Sequence, residues 1–182
     1  MAGPPYRATR IIRNYGSISQ LYYGQPGPGA NNTPGADVMR VSPVAFDTIV
    51  TVDRLVFKVN TAGSAGDVVR VGIYRDNGNV YPGALLLDAG TQAIDTTGVK
   101  EVTISQVLTP GWYWLALVRQ GNAGTPAFEA NDKAQFGVGL NNLGGSPNFN
   151  GYQQPSVSGA LPSMFTTTPT AEVGLRMWLR IA

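Results

Sequence analysis

Cysteine and histidine are both absent from this chain of 182 residues. Without them a single chain cannot assemble a thiolate or imidazole zinc site. Ser-His-Asp and Cys-His nucleophile systems are excluded within it as well. No disulfide can staple the fold, so packing has to hold it. Charge is scarce too: Asp, Glu, Lys and Arg make up 13% of the residues, against roughly 25% in an average soluble domain. The net charge of +2 is too small to call for nucleic acid, and no such partner is expected. No run approaches the ~20 apolar residues of a membrane helix, so no membrane insertion is expected. Arg10 and Arg13 flank Ile11 and Ile12 where a secretory signal needs an unbroken apolar core. Synthesis in a cytoplasm follows as the expectation. Carboxylates alone can hydrolyse glycosides, but nothing in the spacing of Glu101, Glu129, Asp132 and Glu172 requires them to converge. The chain therefore reads as a non-enzyme, with no catalytic, cofactor or metal residue assigned.

What is abundant points to strands and turns. Hydrophobic residues reach 43%, enough for a core, and the 23 Gly and 13 Pro show no collagen-like period. From Asp37 onward the apolar period is two. Leu55, Phe57 and Val59 alternate with Arg54, Val56 and Lys58. Val69, Val71 and Ile73 alternate with Arg70, Gly72 and Tyr74. Asp76-Asn77-Gly78-Asn79 follows as a tight turn, because Asn-Gly favours positive φ. Further strands are predicted over Ala84 to Ala89, around Val102 and Ile104, and within Ala127 to Leu140. Trp112 to Arg119 is the most apolar run and predicts a central strand buried on both faces. Residues 141–162 form a polar excursion, and Leu175 to Ile181 closes the chain by alternation. About eight strands joined by turn chemistry, without βαβ spacing, describe an all-β fold: an antiparallel β-sandwich, jelly-roll-like, over residues 37–182.

Residues 1–36 differ in texture and read as an extended N-terminal docking arm ending in a Gly/Pro/Asn linker. Ile11, Tyr15, Ile18 and Tyr22 fit one face of a short helix, but Gly16 sits inside it, and two extended pieces, Arg10 to Arg13 and Ser17 to Tyr23, fit better. The arm carries more large apolar residues than a free tail exposes. Ile11, Ile12, Tyr15, Ile18, Leu21, Tyr22 and Tyr23 are the interface candidates, and removing the arm is expected to spare the fold and abolish docking.

Few other residues suggest chemistry. Asp76 to Asn79 offers oxygens for Ca²⁺ but lacks the remaining EF-hand ligands, so a plain turn is expected. Trp112 and Trp114 share a parity that suits a sugar platform, yet they lie in the most apolar strand, where core packing is the simpler role. Tyr74, Tyr81 and Tyr152 lie near turns and polar loops and are the surface-contact candidates.

Three segments carry a resemblance: RVGIYRDN (Arg70 to Asn77), YPGALLLDAG (Tyr81 to Gly90) and LTPGWYWLAL (Leu108 to Leu117). With GALPSMFT (Gly159 to Thr166) and the final LRMWLRIA, they resemble a β-sandwich module of phage minor tail proteins and tail fibres, most similar to those of phages infecting actinobacteria. The resemblance spans roughly residues 50 to 182. It implies a virion component, commonly a homotrimer, whose partners are other virion proteins and, in some cases, a host cell-surface glycan. The chain lacks a long fibre shaft, so a tail-tip knob or a capsid decoration or head-fibre protein suits its length. A carbohydrate-binding module is the alternative of a different class.

Overall fold

The computed structural model describes residues 21–24, 29–121, 124–131, 151–168 and 170–182. These form twelve strands and, among the described residues, no helix. The strands are β1 (Leu21–Gly24), β2 (Gly29–Asn32), β3 (Met39–Phe46), β4 (Val50–Thr61), β5 (Val68–Asp76) and β6 (Pro82–Ala93). They continue with β7 (Gly98–Leu108), β8 (Gly111–Gln120), β9 (Ala127–Asn131), β10 (Gly151–Gln154), β11 (Thr170–Glu172) and β12 (Met177–Ile181). They make two six-stranded sheets in which every pairing is antiparallel. The first runs β1-β12-β4-β9-β2, with β7 on β4; the second runs β11-β10-β3-β8-β5-β6. The chain is a β-sandwich.

The main core lies between the sheets. Leu55, Phe57 and Val59 of β4 and Leu179 of β12 meet Val69, Val71 and Ile73 of β5 and Tyr113, Leu115 and Leu117 of β8. Alternation puts these residues on one face of each strand, and burying that face is the chief driving force. A second core covers the opposite face of the second sheet. There Trp114, Ala116 and Val118 of β8, Met39 and Val41 of β3, Tyr74 of β5 and Tyr152 of β10 lie beneath Val157, Leu161 and Phe165. Residues of both parities in β8 are therefore buried, which is why Trp112 to Arg119 lacks a polar face.

The structure departs from the sequence expectation in three places. β3 was not predicted, because Pro43 interrupts the run. It is accommodated since β10 pairs with Met39 to Val41 and, among the described residues, its ladder stops short of Pro43, which faces Trp114 of β8. Residues 141–162 are not polar throughout: β10 adds to β3, and Val157 and Leu161 are core. Most consequential is the arm. It supplies two strands of the first sheet, with Leu21 to Gly24 paired to Ile181 to Trp178, and Gly29 to Asn32 paired to Asn131 to Phe128. The boundary at residue 36 therefore does not separate arm from sandwich, because backbone donors and acceptors on both sides of it complete one ladder.

Candidate functional site

Two surfaces gather aromatic and charged side chains. The first is the β5–β6 tip. Asp76 Oδ1 accepts the N–H of Gly78 at 2.7 Å and of Val80 at 3.2 Å, and Asn77 Oδ1 accepts the N–H of Asn79 at 2.9 Å. Asp76 Oδ2 accepts from Trp114 Nε1 at 3.0 Å. Both carboxylate oxygens thus have N–H donors, which organises a turn rather than an open cation ligand set. Among the described residues no group of three or more Asp or Glu is placed to hold a metal ion. Gly78 (φ 95) and Val80 (φ 60) both lie in the left-handed region, the second an unusual place for a β-branched residue.

This tip presents Tyr81. Its ring stacks on Tyr152 with centroids 4.5 Å apart at 22°, and Tyr152 lies 5.4 Å from Trp114. Tyr81 is exposed, as are Val80 and Trp112. Tyr152 and Tyr74, by contrast, are buried, so neither offers a contact surface. Tyr74 donates its hydroxyl to the Pro162 carbonyl at 2.9 Å and meets Phe165 edge-on. Burial pushes the pKa of both phenols up, and the neighbouring Tyr81 hydroxyl adds to this at Tyr152. The same excursion that carries Tyr152 covers Tyr74, and neither event is visible in local sequence. Trp114 is core, as the apolar run implied, while its neighbour of like parity, Trp112, stays 36% exposed at the strand end.

The second surface is the outer face of the first sheet. Tyr22, Val56, Val99 and Trp178 line an apolar groove of about 310 Å³ there. Register explains the grouping, because Trp178 and Val56 are cross-strand partners and Val99 pairs with Lys58, two residues along β4 from Val56. Charged pairs flank the groove. Arg180 grips Asp53 with two hydrogen bonds of 2.7 and 2.6 Å, while Arg54 and Arg180 also approach Glu101. The Arg180 hydrogen bonds hold the Asp53 carboxyl below the usual carboxylate range. Tyr22 donates to Glu101 at 2.7 Å, and that carboxylate raises the Tyr22 pKa. On the other side Arg176 lies over the Trp178 ring at 5.0 Å and pairs with Glu129, which Lys58 also reaches at 3.1 Å.

The interface candidates divide accordingly. Ile11, Ile12, Tyr15 and Ile18 lie outside the described residues. Leu21 is a β1 position paired with Ile181. Tyr22 reaches the outer groove, whereas Tyr23 turns inward onto Phe46, ring centroids 4.8 Å apart, and belongs to the chain's own core. Sequence reasoning passed over Val99, Val107 and Trp178. Their signal was parity: Val99 and Val107 share the parity of Glu101 and Thr103, the solvent side of β7.

Compared with protein-family models and with characterised proteins, the chain matches none.

Proposed function

We propose that the chain is a structural protein of a phage virion, a minor component of the tail tip that works by contact and carries out no chemistry. The observation supporting this reading is where the resembling segments lie. RVGIYRDN, YPGALLLDAG and LTPGWYWLAL fall on β5, β6 and β8, three adjacent strands of one sheet, and GALPSMFT packs on that sheet's outer face. The likeness thus follows one structural unit rather than scattered loops. Other virion proteins and further copies of the chain are its partners, and the virion is its place of action. Antibodies raised against the purified chain, applied with gold labels to intact particles, test the reading. Label at the tail tip supports it, label over the capsid shell converts it to a decoration or head-fibre protein, and unlabelled particles overturn it.

One observation favours a second, compatible role. Tyr81 is exposed, propped on buried Tyr152, with exposed Trp112 on the same sheet face as Trp114. Ring faces cover apolar sugar faces, so the β5–β6 tip is proposed as the contact for a host cell-surface glycan. Binding to a glycan array that disappears with Tyr81→Ala is the expected result. Binding unchanged by that substitution removes the tip from the proposal.

A further inference from the structure

The two sheets have four edges, and they are not equally protected. β11 has three residues; β1 and β2, which share an edge, have four each. The long edge strand β6 is covered over Gly83 to Leu85 by the segment following β10: the N–H of Leu85 donates to the Ser163 carbonyl, the N–H of Phe165 to the Gly83 carbonyl, and Ala84 bridges Met164, while further along the Leu161 N–H donates to the Asp88 side chain. β7 is different. It is eleven residues long and, among the described residues, pairs with β4 alone. An open edge of that length presents a row of backbone donors and acceptors and templates further pairing.

From this edge we infer that β7 pairs with β7 of a second copy, antiparallel across a two-fold axis at Thr103. The sequence of the strand, GVKEVTISQVL, is self-complementary about that residue. A two-fold axis there sets Val99 opposite Val107, Glu101 opposite Ser105 and Thr103 opposite itself on the outer face. On the inner face it sets Lys100 opposite Gln106 and Val102 opposite Ile104. Apolar residues meet apolar ones, each charge meets a neutral hydrogen-bonding side chain, and no like charges are opposed, as cross-strand pairing requires. Val99 is 61% exposed and Val107 55%, and this pairing covers both. A two-fold contact uses the same patch on both copies, which is what a self-complementary strand supplies. The register shift between β4 and β7 near Val52 and Arg54 adds local twist. The two-fold axis repeats it symmetrically in both strands. The resulting particle is a dimer with one continuous outer sheet, in place of the trimer implied by the resemblance.

Light scattering on the purified full-length chain at micromolar concentration is expected to give twice the chain mass. The V99K/V107K variant sets like charges against each other at both ends of the contact and is expected to give the single-chain mass. Its melting temperature is expected to match that of the unaltered chain diluted until it scatters at the single-chain mass, since both side chains stand largely in solvent in one copy. The V99K/V107E variant sets opposite charges across the axis and is expected to recover the doubled mass. A single-chain or three-chain mass for the unaltered protein overturns the inference, and so does a doubled mass that survives V99K/V107K. Should that variant not fold, hydrogen exchange of the unaltered chain decides: β7 amides that slow as concentration rises support the pairing, and exchange independent of concentration overturns it. Failure here leaves the particle labelling, and with it the virion reading, standing.

Discussion

A β-branched side chain at φ 60 crowds its Cβ against its own backbone, and Val80 carries that conformation in the chain. The Asp76 carboxylate, by accepting the Val80 N–H, holds the turn in place against the strain. Asn tolerates the left-handed region better, and Val80 is exposed, so Val80→Asn is expected to raise unfolding free energy by about 1 kcal/mol. Urea titration measures it; a loss of stability would mean that the valine makes contacts worth more than the strain. A second residue ties sequence-distant parts together. Asp88 accepts from Arg70 Nε at 2.9 and 2.8 Å, from the Gly90 N–H at 3.0 Å and from the Leu161 N–H at 3.1 Å. Its partial burial pulls the pKa up, but these donors together outweigh it and set the value below that of a free Asp. A group depressed in the folded state contributes stability that is full above its unfolded pKa of about 3.9 and is lost as pH falls through the folded value. Asp88→Asn is therefore expected to lower stability at neutral pH and to shrink the acid-side loss below about pH 4. Thermal melts at a series of pH values check this, and an unchanged acid limb would remove Asp88 from the account.

At the scale of elements, β1 and β2 decide what the N-terminal region does. Deletion of residues 1–36 leaves β12 and β9 paired with β4 alone among the named strands and takes Tyr23 from Phe46. The truncated chain is expected to unfold at lower denaturant than the full one, by a margin of several kcal/mol, as two edge ladders and the packing of Tyr23 on Phe46 are lost. Equal midpoints would show that both strands are dispensable. The extended reading of Ser17 to Tyr23 reaches into β1, but β2 and the partners of both strands were illegible in sequence for a plain reason. LYYG and GANN are short, flank a Gly- and Pro-rich stretch and show little alternation, so their state is set by the strands that receive them. β3 was hidden by Pro43 in the same way, its tolerance depending on which side β10 stops. β8 was legible at once, because a strand buried on both faces must be apolar at both parities.

For the molecule as a whole, the double burial of the second sheet sets the order of stability. β8 lies between β3 and β5, with the main core on one face and the Val157–Leu161–Phe165 cover on the other. Its amides are expected to exchange only through global unfolding, while those in the Asp76 to Tyr81 tip exchange by local opening. Hydrogen exchange by mass spectrometry checks this, and fast exchange across β8 would contradict a shared core.

By itself the amino-acid sequence determined the class of fold, the main strands and the turn at Asp76, because period-two alternation, Asn-Gly chemistry and the lack of a polar face are properties of a single segment. Tertiary structure alone decided which aromatics are available. Tyr74, Tyr81 and Tyr152 look alike beside their turns, yet a chain segment 88 residues away at Pro162 buries the first, the third packs beneath the second, and only Tyr81 keeps an open face. The same holds for β7, whose self-complementary sequence acquires meaning only once the fold leaves its edge unpaired among the described residues. Local pattern reports which face of a strand prefers water; what packs on that face, or along that edge, is settled by parts of the chain the pattern does not contain.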